Sequence, residues 1–173
     1  MIDTQLCHKM LHASVVVCTG VGKSGFVAAL SSDLLKSVGI KAAYIHATDL
    51  LHGGINVLPV MNPSVVIYFS HSGFTQEIMT AAHYVKENSP MTASAFVTSA
   101  SVPRIDGADY VVRYPVIPEN NRHRTIPVQA SASQILAIGE YVDAFADVHS
   151  VEYLLRGHPK GTLGHVYEIK AMN

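Results

Sequence analysis

The chain of 173 residues is about one domain long, with 49% apolar residues and 14% charged ones against roughly 25% in an average globular protein, which excludes disorder and supplies a sizeable core. Twelve Lys and Arg against thirteen Asp and Glu leave a net charge of -1, so there is no diffuse positive field to hold nucleic acid or an anionic membrane. Any anion must be bound locally, and the shortage of charge implies an apolar face buried between the subunits of a homo-oligomer.

Met1 to Met10 contains Asp3, Gln5, His8 and Lys9, so no apolar stretch of signal-peptide or membrane-spanning length opens the chain, and a cytoplasmic location is expected. The two cysteines fit a reducing compartment: Cys7 and Cys18 cannot make a multi-bridge scaffold, and Cys18 follows the apolar run Val15-Val16-Val17 as a buried thiol would. The first strand is expected over Ser14–Thr19. It runs into Gly20-Val21-Gly22-Lys23-Ser24-Gly25, a G-x-G-x-x-G turn opening a helix, where free backbone N–H groups favour an anion. A nucleotide-triphosphate loop would need glycine where Val17 stands, and a dinucleotide site would need an acid at the end of the second strand, which ends in His46. The alternative is that these glycines only permit a tight turn. The helix that follows, Ser24–Val38, spaces Phe26, Leu30, Leu34 and Val38 four apart, which predicts a sheet-covering face.

A second strand is predicted over Ala42–His46, with His46 and His52, six apart, in a loop, and a third over Val65–Ser70. The third ends in Ser70-His71-Ser72-Gly73-Phe74-Thr75-Gln76-Glu77, where hydroxyls gather at the start of a helix, Thr75–Glu87. A phosphomonoester needs several short donors, and Ser70, Ser72 and Thr75 supply them without net protein charge. Ordinary capping by Thr75 is the competing account of the same residues. Strands over Thr92–Thr98 and Tyr110–Arg113 complete five. Tyr114 to Gln129, with three prolines and Arg122-His123-Arg124, reads as a long loop, and a last helix spans Ala132–Val148, capped by Ser131 or Ser133. Strands alternating with helices predict an α/β fold, a three-layer α/β/α sandwich on a five-stranded parallel sheet, in a single domain over 1–173.

The two junctions together resemble the SIS, or sugar isomerase, family of phosphosugar domains, whose second junction is typically Ser-x-Ser-Gly-x-Ser/Thr-x-Glu. His46-Ala47-Thr48-Asp49-Leu50-Leu51-His52-Gly53-Gly54 is similar to the family's His-Pro-x-x-x-x-His-Gly segment, and Gly157-His158-Pro159-Lys160-Gly161-Thr162-Leu163-Gly164 to its His-Pro-Gly-Gly-x-Leu-Gly tail. The combination resembles arabinose-5-phosphate isomerases. It implies a flavodoxin-like, Rossmann-like sandwich in which Lys23, His52, Glu77 and His158 are catalytic, and Gly22, Ser24, Ser70, His71, Ser72, Thr75, Ser131 and Ser133 hold substrate. It also implies a tetramer in which the tail histidine enters a neighbour's site. The N-terminal helices and CBS modules common in the family are not expected, for lack of room. His71, Phe74, Lys160 and His165 depart from the usual residues, and Arg124 to Ser131 resembles a loop of the single-domain 6-phospho-3-hexuloisomerases.

Moving a carbonyl between neighbouring sugar carbons needs a base for the proton beside it and a donor for the enediolate oxygen. Glu77 or His158 can serve as the base, His52 can move a hydroxyl proton or assist ring opening, and Lys23 can steady the oxyanion. Neither H-E-x-x-H nor Cys-x-x-Cys occurs among the ten histidines and two cysteines, so no metal and no cofactor is expected. The expected activity is metal-independent interconversion of arabinose 5-phosphate and ribulose 5-phosphate. The alternatives are a 6-phospho-3-hexuloisomerase and a non-catalytic phosphosugar sensor.

Overall fold

The computed structural model describes residues 3–99, 101–102, 105–119 and 128–148. Five strands, β1 (Val16–Gly20), β2 (Ala42–Tyr44), β3 (Ser64–Phe69), β4 (Thr92–Ser99) and β5 (Tyr110–Tyr114), form one sheet in the order β2-β1-β3-β4-β5. Every pairing is parallel, and β1 runs beside β3 from Val16↔Val65 to Gly20↔Phe69. Both faces of the sheet are covered, as the unbroken burial of β1 and β3 requires. Val16, Cys18, Val65, Ile67, Phe69 and Val97 face a core closed by α1 (Thr4–Leu11), α2 (Gly22–Ser37) and α5 (Val128–Val148). Val17, Val66, Tyr68 and Phe96 face a second core closed by α3 (Ala47–Leu51) and α4 (Gln76–Asn88). Tyr68 and Phe96 stack there with ring centroids 4.8 Å apart, a pairing that adds about 1 kcal/mol to their burial. Cys18 is fully buried, and burial pushes its thiol up to about 12, so it is inert packing.

Four expectations need correction. The chain does have a helix before the first strand: α1, whose first N–H groups, from Gln5 and Leu6, donate to the Asp3 carboxylate. His46 and His52 are not in a loop but flank α3 as its two caps, and a 3₁₀ turn, Gly54–Val57, follows. The last helix begins at Val128 rather than Ala132, which puts Ser131 and Ser133 inside it. Its first three N–H groups go to the Glu119 carboxylate at 3.1 Å, so neither serine is the cap. The buried face of α2 is not the Phe26 stripe. It is the small side, Gly25, Ala28, Ser31 and Ser32 with Val27 and Leu35, while Phe26 stays 80% and Leu30 45% exposed. Small residues let α2 lie close to β1 and α5, and the bulky ones are left outside.

Among the described residues, no helix is long and apolar enough to cross a membrane.

Candidate functional site

The strand order places β2 and β3 on opposite sides of β1, so the chain leaves the ends of β1 and β3 in opposite directions and a crevice opens between them. Gly20 and Phe69 are register partners, which sets the turn after β1 beside the turn after β3. The first turn depends on close approach. A Cβ on Gly20 would lie 2.6 Å from the Ser24 carbonyl oxygen, inside the first turn of α2. Gly22 follows at φ +57, with open space on its side-chain side, and exposed Lys23 stands next to it. The residue before α2 is Val21, which has no side chain able to cap, so the N–H groups of the first turn keep their donors for a ligand. Half-buried Ser24 donates its hydroxyl to Gln134 Oε1 on α5 at 3.2 Å and so retains only oxygen lone pairs for a ligand.

In the second turn, buried Ser70 accepts the Gly73 N–H at 3.1 Å and lies 2.9 Å from the Thr75 hydroxyl. Either hydroxyl of that pair can be the donor. Ser72 is exposed; its oxygen accepts the Phe74 N–H at 3.2 Å, leaving its hydrogen outward. Thr75 precedes α4 but makes no capping bond with its side chain, so capping does not account for its hydroxyl, and the first N–H groups of α4 also remain uncapped. Glu77 is exposed in that first turn. Exposed His71 lies between the two serines. Its carbonyl accepts from Ser99 N–H and Thr98 Oγ1, each at 3.2 Å, and its Nδ1 lies 2.8 Å from the Tyr114 hydroxyl.

His52 is exposed at the C-terminal end of α3, the short helix packed against α4. His46 starts that helix, its Nδ1 2.8 Å from Thr48 Oγ1. Ser131 is half-buried on α5, whereas Ser133 is buried and lines a different cavity, of about 540 Å³, with Arg113, Leu136, Glu140 and Tyr141. His158 and Arg122-His123-Arg124 lie outside the described residues. The structure thus gathers Gly22, Lys23, Ser24, Ser70, His71, Ser72 and Thr75 on two adjacent turns, with Glu77 at the start of α4. Ser133 is not among them. Among the described residues, no three His, Cys, Asp or Glu side chains converge to hold a metal.

Three participants are not singled out by the sequence. Gln134 is 1% exposed and occupies the inner stripe of α5 with Ile138, Tyr141 and Phe145. A polar residue on an apolar stripe spaced i, i+4, i+7, i+11 is the available signal. Tyr114, which the sequence puts at the start of the long loop, ends β5 and packs in the core, and its hydroxyl reaches His71. Glu119 carries no signal, since its partners, the N–H groups of Val128, Gln129 and Ala130, are far along the chain.

The model of the SIS domain family matches residues 9–147. The arabinose 5-phosphate isomerase KpsF of Escherichia coli is 28% identical over 153 residues, which cover 86% of this chain and 45% of that protein. The chain spans about half the length of the curated relatives it matches. Among solved structures, c3406 of E. coli CFT073 in complex with arabinose 5-phosphate superposes with a TM-score of 0.77 at 24% identity, covering 90% of this chain and 83% of that one. The sugar isomerase domain of the RpiR transcription factor from Sphaerobacter thermophilus gives 0.61 at 21% identity, covering 88% and 82%.

Proposed function

The chain belongs to the SIS domain family, and on that footing we propose that it is a phosphosugar isomerase interconverting arabinose 5-phosphate and ribulose 5-phosphate by acid–base chemistry, without a metal or redox cofactor. The observation that carries the reading is the pair of uncapped helix starts, α2 and α4, set side by side with the hydroxyls of Ser72 and Thr75. Such a crevice suits an anion with several oxygens in a protein with no positive field of its own. Similarity to KpsF supports the choice of sugar.

In this reading the phosphate rests on the turn after β3 and the carbonyl end of the open-chain sugar extends toward Lys23 and Glu77. Glu77 or His158 takes the proton from the carbon beside the carbonyl, and the electron pair moves onto the carbonyl oxygen to give an enediolate. Lys23 stabilises that oxygen, His52 transfers the proton between the two sugar oxygens, and the base returns its proton to the neighbouring carbon. The reaction is balanced without an external oxidant or reductant. We assign the protein to the cytoplasm as a homotetramer, with His158 serving a neighbouring subunit's site.

Incubation with arabinose 5-phosphate in D2O, followed by NMR, should show ribulose 5-phosphate forming with deuterium entering at the carbon beside the carbonyl. Glu77→Gln and His158→Ala should lower kcat, the true base by about 10²–10⁴-fold. Near wild-type turnover in both folded variants would overturn the assignment. Conversion of a hexulose 6-phosphate in place of the pentose would move the substrate to the six-carbon class. Tight binding with no turnover of either sugar would make the protein a phosphosugar sensor.

A further inference from the structure

Resting on that reading and extending it, we propose that Tyr114 and Gln134 are positioning residues that hold neutral His71 in the tautomer protonated at Nε2, so that His71 presents an N–H donor to the phosphosugar. The starting point is the Gln134 amide. It is buried on α5, its Oε1 accepts the Ser24 hydroxyl at 3.2 Å, and its Nε2 has no hydrogen-bond partner among the described residues. A buried amide donor left unused is unfavourable, so the group its hydrogens face matters. Tyr114 is one group its side chain acts on: burial pushes the Tyr114 hydroxyl up to about 12, and the Gln134 side chain acts in the opposite direction.

The phenol therefore keeps its proton. A phenol is a stronger donor than a neutral imidazole N–H, and the bare imidazole nitrogen is the stronger acceptor, so Tyr114 donates its hydrogen to His71 Nδ1, 2.8 Å away. A ring nitrogen that accepts a hydrogen bond carries no proton, so neutral His71 is protonated at Nε2. The rings of His71 and Tyr114 stack at 5.9 Å and 28°, and the His71 carbonyl is held by Ser99 and Thr98, so the geometry is fixed from both sides. The Glu119 carboxylate at the start of α5 lies within electrostatic reach of His71.

Two donations are then fixed, Ser24 to Gln134 and Tyr114 to His71, and the second leaves the His71 Nε2–H for the ligand. They make the two turns chemically unlike. The turn after β1 adds an acceptor, the Ser24 oxygen, to its N–H donors and Lys23, whereas the side chains of His71 and Ser72 on the turn after β3 offer donors. A sugar phosphate satisfies both in one orientation, with its ester oxygens on the second turn and a hydroxyl on the first.

The long-range 1H–15N spectrum of 15N-labelled protein reads the tautomer directly, with the ring assigned by its loss in His71→Gln. Wild type should show a pyridine-like Nδ1 and a pyrrole-like Nε2 at His71. Tyr114→Phe should move both nitrogens toward the averaged values of mixed tautomers and weaken arabinose 5-phosphate binding about threefold to tenfold. Gln134→Met, which removes the amide at similar volume, should move them the same way by less. A pyrrole-like Nδ1 in wild type, or unmoved ring nitrogens in folded Tyr114→Phe, would overturn the proposal. Should Tyr114→Phe fail to fold, the wild-type spectrum and Gln134→Met decide it. Failure of wild type to bind arabinose 5-phosphate would instead defeat the proposed function, because the ring spectrum is recorded without sugar.

Discussion

Thr75 separates two uses of a hydroxyl at a helix start. A capping threonine accepts an N–H from the next turn, and losing it costs about 0.5–2 kcal/mol of stability. Thr75 makes no such bond; its oxygen faces Ser70 at 2.9 Å instead. Thr75→Val should therefore weaken binding of inorganic phosphate about tenfold, while Thr75→Ser retains it, as titration calorimetry would show. A stability loss of capping size with unchanged phosphate affinity would return Thr75 to the role of a cap. Gly73 tests the backbone of the same turn. It sits at φ +74, and an added Cβ would come within 2.9 Å of a Val102 methyl. Gly73→Ala should cost about 2 kcal/mol or more in urea unfolding, because strain and collision add.

At the scale of elements, the start of α5 is held by a carboxylate from outside the helix. Burial opposes the charge of Glu119, but the N–H groups of Gln129, Ala130 and Val128, with His71 nearby, hold its carboxyl below the usual carboxylate range. A carboxyl lowered on folding adds stability that is fully present above its unfolded value of about 4.3 and is lost as pH falls through its folded value. The gap in Tm between wild type and Glu119→Gln should thus be widest near neutrality and narrow below about pH 4.3; a gap independent of pH would remove the carboxylate from the account. Such long-range capping is the kind of feature the sequence hides. The five strands and the two glycine- and hydroxyl-bearing turns were legible because apolar runs and turn residues act locally. Helix α1 offers only Leu6 and Met10 as buried apolar residues, and α3 is five residues long, too short to display a period. The strand order, which brings the turns together, is set by pairings between distant segments. Phe26 misled for a related reason: periodicity finds an apolar face, but does not say whether the sheet or another surface covers it.

At the scale of the whole molecule, α2 has two apolar faces. The small one, with Gly25, Ala28 and Leu35, is buried against the sheet and α5, while Phe26 and Leu30, four residues apart, stand 80% and 45% exposed on the other. Phe26 follows the Gly20–Gly25 turn, and Phe74, 62% exposed, lies within the second turn, so apolar surface borders the crevice on both sides. A chain with only 14% charged residues has little polar surface to dilute such a rim. If the rim is the subunit contact of the proposed tetramer, assembly and site share the same residues. Light scattering on Phe26→Ser/Leu30→Ser should then show a smaller particle than wild type, with a comparable melting temperature because neither side chain supports the monomer core. Turnover of arabinose 5-phosphate should fall with it, and mixing the double variant with His158→Ala should not restore a rate that depends on contact across that face. An unchanged particle mass would detach the Phe26 face from assembly, and a site shared between subunits would then have to form across another face.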